Sequence, residues 1–201
     1  NPARGFSYMY EAPLDMRMDP SQALTAFEVV NGYPEARLAQ IFGTYGEERF
    51  AGRIAAAIVR ERAKKPIETT LALSDIIRAA MPAPARREKQ HPAKRTFQAI
   101  RIEVNGELSA VTRGVSEGID CLNAGGRLSA ISFHSLEDRA VKQIFADAAR
   151  GCTCPKEFPV CVCGKTPKVR LITRGAVTAG DRERNENPRA RSAKLRVAER
   201  L

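Results

Sequence analysis

"GGRLSAISFHSLEDR", residues 125–139, decides how the second half of the chain is read. A double glycine opens it, a run of small and apolar residues follows, and Phe133-His134-Ser135 ends the run before charged residues begin. Leu128 to Phe133 reads as a strand buried on both faces, the kind found in parallel sheets covered by helices. Ser135 then starts a helix as its N-cap, with Asp138 three residues on and Val141, Ile144 and Phe145 on its apolar face. In open α/β sheets, ligands bind outside the carboxyl ends of parallel strands. His134 and Ser135 sit at such an end and are candidate site residues. Their local chemistry equally describes a turn residue and a helix cap.

Upstream, Phe97, Ile100, Val104, Leu108, Val111, Val115, Ile119 and Leu122 follow steps of three and four, which predicts one long helix closed at Asn123. Downstream, a cysteine-rich loop precedes two further strands, at 168–173 and 192–200. Helix, turn, buried strand and helix make an α/β layer. Between residues 20 and 82 the signal is helical. Asp19 or Ser21 is expected to cap the first helix, residues 34–42 form a second closed by Gly43, and residues 70–81 form a fourth. The third carries Phe50, Ile54 and Ile58 on one stripe and stops at Pro66. Residues 1–19 read as an ordered loop. Residues 82–95, "PAPARREKQHPAKR", form a basic, proline-punctuated linker, either a polyanion contact or a solvated loop.

The chain has 201 residues, 43% apolar and 28% charged, which fits a folded protein with a real core. Its net charge of +10 favours a polyanionic partner such as nucleic acid. No apolar stretch approaches the roughly 20 residues of a membrane-spanning helix, so no membrane partner is expected. Five cysteines, an odd number, argue against a closed disulfide framework and for a reduced, cytoplasmic setting. Four of them, Cys152, Cys154, Cys161 and Cys163, lie in "CTCPKEFPVCVC". Four thiolates suit tetrahedral zinc, which would staple the 151–165 loop; because C-x-C is tighter than the usual C-x2-C, surface thiols remain the alternative. Cys121 is expected in the core.

The opening stretch closely resembles the signature of the bacterial RsmH/MraW methyltransferases. Four more stretches match the same family in order: "RGFSYMYEAPLDMRMDP" (4–20), "YGEERFAGRIAAAIV" (45–59), "HPAKRTFQAIRIEVNGEL" (91–108) and "NPRARSAKLRVAER" (187–200). The resemblance covers essentially the whole chain. It implies a class I (Rossmann-like) methyltransferase fold with a helical insertion, α/β in class, with this chain predominantly helical. Residues 1–19 would follow a cofactor-binding half, 20–95 would be the RNA-recognising insertion, and 96–201 the C-terminal half of the core. The implied reaction carries a methyl group from S-adenosylmethionine to N4 of a cytidine in small-subunit (16S) ribosomal RNA.

The family's cofactor-holding motifs, a glycine-rich loop after the first strand and an acidic residue after the second, do not occur in this sequence. Cofactor-binding residues are therefore expected upstream of Asn1, and the chain alone is expected to be incomplete for catalysis. Transfer to an exocyclic amine needs in-line positioning and an acceptor for its proton. Asp15 and Asp19 join His134 and Ser135 as candidates. Arg4, Arg17, Arg86, Arg87, Lys94, Arg95, Arg189 and Arg191 are candidate RNA contacts, since arginine forks match phosphate geometry; Arg17 could instead pair with either aspartate. The expected partner is ribosomal RNA in the small subunit, and a homodimer is compatible with this reading. The competing reading is a non-catalytic, basic RNA-binding module with a zinc-stapled loop.

Overall fold

A computed structural model describes residues 2–88, 90–155, 158–160 and 162–201. The chain divides into two compact units, Asn1–Glu107 and Leu108–Leu201. No described helix is long and apolar enough to cross a membrane.

The first unit is helical: α1 (Ala26–Gly32), α2 (Glu35–Gly46), α3 (Ala51–Arg62), α4 (Thr70–Ala80), the single turn α5 (Ala83–Arg86) and α6 (Lys94–Asn105). The first helix starts later than the sequence suggests. Asp19 accepts from the Ser21 N–H at 2.9 Å and turns the chain, so neither residue caps a helix. Thr25 caps α1 instead, accepting from the Glu28 N–H while the Glu28 carboxylate accepts from the Thr25 N–H at 2.9 Å. The second helix runs through Gly43 and ends at Glu47, which adopts the left-handed conformation with φ 48°. The 82–95 linker contains the short α5 and the start of α6; Lys89 lies outside the described residues.

The core of this unit joins Val29 and Val30 of α1, Leu38, Ile41 and Phe42 of α2, Ile54 and Ile58 of α3, Leu73 and Ile77 of α4, and Phe97 and Ile100 of α6. Helices α2 and α6 cross closely at Gly46, where a Cβ would lie 2.7 Å from the Arg95 carbonyl oxygen. The long helix expected from Phe97 to Leu122 is two helices. Gly106 adopts φ 58°, which ends α6, and α7 (Glu107–Asp120) begins at the next residue. Cys121, just beyond α7, is exposed rather than buried.

The second unit is mixed α/β. After α7 come β1 (Arg127–Ser132), α8 (Ser135–Ala149), β2 (Val169–Leu171), β3 (Val177–Thr178), α9 (Asp181–Glu186) and β4 (Lys194–Arg200). The sheet is antiparallel, ordered β1-β4-β2, with β3 also paired to β4. Its register sets Ala130 opposite Arg196 and Ser132 opposite Lys194. Ile119, Val141, Phe145, Val169 and Ala198 form the core beneath it.

The expected interior strand is thus corrected. β1 forms as predicted, but it lies at one end of the sheet and pairs antiparallel to β4. Only alternate residues turn inward, Leu128, Ala130 and Ser132, while Ile131 is 62% exposed. A six-residue strand covered on one face alternates; it is not buried throughout.

Candidate functional site

The candidates fall in both units. In the first, the loop before α1 carries Arg4, Asp15, Arg17 and Asp19. Its fold is fixed by backbone and by Arg4, whose guanidinium donates to the Met18 carbonyl at 2.8 Å and also to the Arg17 carbonyl. Asn105 of α6 clips the loop, donating to the Met16 carbonyl at 2.8 Å and accepting from the Met18 N–H at 2.6 Å. Between these anchors Met16 adopts φ 58° and is fully buried.

Asp15 and Arg17 form a two-point pair, Nε to Oδ1 at 2.8 Å and Nη2 to Oδ2 at 2.9 Å. The other Arg17 nitrogen donates to the carbonyls of Pro20 and Gln22 at 2.8 and 2.7 Å. The hydrogen bonds from Arg17 hold the Asp15 carboxyl below its ordinary value, against the opposing effect of burial. Asp19 is lowered too, chiefly by the Ser21 N–H. Both carboxylates are therefore stable anions, suited to accept a hydrogen bond but weakened as bases.

The basic candidates sort by their partners. Arg86 donates to the Met81 carbonyl at 2.8 Å and Arg95 to the Glu47 carbonyl at 3.2 Å, so both brace turns. Arg87, Lys94, Arg189 and Arg191 are exposed. Lys94 also lines a cleft of about 210 Å³ with Phe6, Tyr8, Phe97, Gln98 and Arg101. Beside it Tyr8 stacks on His91 at 4.5 Å between ring centroids. Burial, then the charge of Arg78, holds His91 below its usual value, so a neutral ring faces the tyrosine. Aromatic faces beside cations suit a nucleotide, whose base stacks while its phosphate pairs. The sequence reading named Lys94 but missed Tyr8 and His91, which stand far apart in the chain.

In the second unit, His134 and Ser135 meet α8. The N-cap is His134, not Ser135. The Nδ1 of His134 accepts from the Glu137 N–H at 3.3 Å, and Glu137 accepts from the N–H groups of Phe133 and His134 at 2.9 and 3.3 Å. An imidazole nitrogen in this position does what an asparagine oxygen ordinarily does. Ser135 becomes the first helical residue. Asp138, next on the buried side, accepts two hydrogen bonds from Arg196 and one from Lys194, which share a face of β4. Beside the outer edge of β1, Val111, Val115, Ala130, Ile131 and Val141 line an apolar cleft of about 200 Å³.

Gly125 and Gly126 serve the sheet. The Gly125 N–H donates to the Arg200 carbonyl at 2.9 Å, and the Gly126 carbonyl accepts from the Arg200 N–H at 2.8 Å. They form the turn into β1. The one turn from a described strand to a helix that carries a glycine is Ala179-Gly180, between β3 and the six-residue α9, where Gly180 is the N-cap; a single glycine there is not the glycine-rich pattern of a dinucleotide-type loop.

Of the four clustered cysteines, three converge. The Sγ atoms of Cys152, Cys154 and Cys163 lie within 4.8 Å of one another; Cys161 lies outside the described residues.

A basic chain pairing a helical unit with a mixed α/β unit is consistent with a methyltransferase-family domain. The MraW methylase family matches residues 1–201, and the chain belongs to that family. A "Ribosomal RNA small subunit methyltransferase H" of Heliobacterium modesticaldum is 57% identical over 198 residues, 98% of this chain and 63% of the relative. The protein of that name from Carboxydothermus hydrogenoformans is 55% identical over 201 residues, 100% of this chain and 64% of its own length. One from Symbiobacterium thermophilum is 57% identical over 198 residues, covering 98% and 62%. The chain thus spans somewhat less than two thirds of these relatives.

Proposed function

We propose that the protein carrying this chain transfers a methyl group from S-adenosylmethionine to N4 of a cytidine in small-subunit ribosomal RNA, acting in the cytoplasm. The observation that carries the reading is the family match along the whole chain, with relatives of that name at 53 to 57% identity. S-adenosylmethionine supplies an electrophilic methyl group; the residues that hold it are assigned to the part of the protein outside this chain.

Within the chain, residues 20–95 form the RNA-recognising insertion, and residues 96–201 the C-terminal half of a class I methyltransferase core. The sheet order supports this assignment: β1 and β2 both run antiparallel to β4, hence parallel to each other, and no described strand pairs with the outer edge of β1. Arg87, Lys94, Arg189 and Arg191 meet phosphate, and the Tyr8 cleft takes an unstacked base. Arg4 and Arg17 hold the loop that presents Asp15 and Asp19, whose carboxylates orient the amine by accepting its hydrogen bond. Arg86 and Arg95 act through the turns they brace.

The test uses the full-length protein, small ribosomal subunits and methyl-labelled S-adenosylmethionine, followed by digestion to nucleosides. Label in N4-methylcytidine is expected. Label in another nucleoside overturns the assignment of base and atom, and RNA binding without transfer favours a non-catalytic RNA-binding module.

A further inference from the structure

Residues 150–168 connect α8 to β2, and among the described residues of this loop no apolar side chain is buried. Phe158, Val160 and Val162 are all exposed, Val162 by 74%. The base is closed where the Lys168 N–H donates to the Ala148 carbonyl at 2.8 Å. Beyond that base, what gathers the loop is sulfur. The Sγ atoms of Cys152 and Cys163 stand 3.8 Å apart. A disulfide would bring them to about 2.05 Å. Two thiolates on one tetrahedral zinc, with Zn–S near 2.3 Å, define an edge of about 3.8 Å.

The backbone is arranged for the same purpose. The N–H groups of Thr153, Cys154 and Val162 donate to the Sγ atoms of Cys163, Cys152 and Cys154, each at 3.4 Å. Donors aimed at sulfur fix the ligand's direction. Gly164, in the left-handed conformation with φ 61°, turns the chain away just after Cys163.

We propose that Cys152, Cys154 and Cys163 bind a structural zinc ion, their thiolates filling three corners of a tetrahedron and leaving one corner for a fourth ligand. Metal loading displaces the thiol protons and involves no redox change. The ion substitutes for the missing core of the 150–168 loop and fixes the path from α8 to β2. This inference does not depend on the proposed methyl transfer.

The experiment measures metal in the full-length protein purified under reducing conditions without chelator. One zinc per chain is expected, and replacement by Co(II) should give the visible bands of a tetrahedral thiolate site. The variant C152S/C163S should lose the metal while C121S, altered outside the cluster, keeps it. Circular dichroism checks that each variant is folded; if C152S/C163S is not, extraction of the wild-type metal by a chelator should instead expose additional thiols to a thiol reagent. Zinc-free protein that gives no cobalt bands, a Cys152–Cys163 disulfide found by mass spectrometry, or a folded C152S/C163S that retains zinc overturns the proposal.

Discussion

Asp138 of α8 and Arg196 of β4 meet through two parallel hydrogen bonds, Nε to Oδ1 at 2.7 Å and Nη2 to Oδ2 at 3.1 Å. Both side chains are nearly buried, and the pair ties the helix that follows β1 to the strand shared by the whole sheet. D138N leaves Arg196 buried without its counter-charge. The expected cost is about 3 kcal/mol, read as a lower urea midpoint. An unchanged midpoint would mean that the pair is solvated in solution.

The same pair sets a pH dependence. The Arg196 hydrogen bonds hold the Asp138 carboxyl below its ordinary value of 3.8, with burial opposing and Lys194 assisting. The folded value is depressed, so the stabilisation is fully present above the unfolded value and disappears as pH falls through the folded one. The gap in urea midpoint between wild type and D138N should be constant from neutral pH to about 5 and narrow below about 4. A gap that widens on acidification contradicts the assignment.

Gly46 sits where α2 crosses α6, and a methyl group there would meet the Arg95 carbonyl at 2.7 Å. Backbone cannot swing aside as a long side chain can. G46A should therefore destabilise by about 2 kcal/mol. G52A, on α3 with nothing within 4 Å, should stabilise by about 0.5 kcal/mol through helix propensity. Thermal melts of the two variants should move in opposite directions.

His134 caps α8, and its cap can be separated from chemistry. H134A should cost about 1 kcal/mol, whereas H134N, which keeps an acceptor at the cap, should recover most of it. If His134 acts by positioning the helix, H134N retains methyl transfer near the wild-type rate. A folded H134N with transfer abolished would make the imidazole a catalytic residue.

RNA affinity should report which cations touch phosphate. R87A and K94A should each reduce the salt slope of binding by about 1, without changing the melting temperature. R17A should behave differently: its guanidinium holds Asp15 and two carbonyls, so its loss should open residues 13–25 to protease before it changes the salt slope.

How far the sequence reveals this molecule varies by element. Helices α3 and α4 were legible because apolar spacing and stops agreed. The break at Gly106 was not, since apolar steps of three and four continue on both sides of it and the pattern does not register a single left-handed residue. The α1 cap was misplaced because Asp19, Ser21 and Thr25 offer the same chemistry, and only the Glu28 reciprocal bond singles out Thr25. Strand β1 was found, but so short an apolar run does not reveal whether one face or two are covered. In the candidate site, the proximity of Asp15 and Arg17 follows from their spacing. The Tyr8–His91 stack and the Asp138–Arg196 pair join residues 83 and 58 positions apart, a relationship only the fold supplies.

Every described strand of the sheet pairs with β4, the last of them in the sequence. As the polypeptide leaves the ribosome, β1, β2 and β3 emerge in turn with no partner among themselves and must wait for residues 194–200. Assembly of this layer is thus gated by β4, the last of its described strands to be synthesised. A product cut short before Lys194 would leave β1, β2 and β3 without the strand that joins them, exposing pairing edges that mark it for degradation.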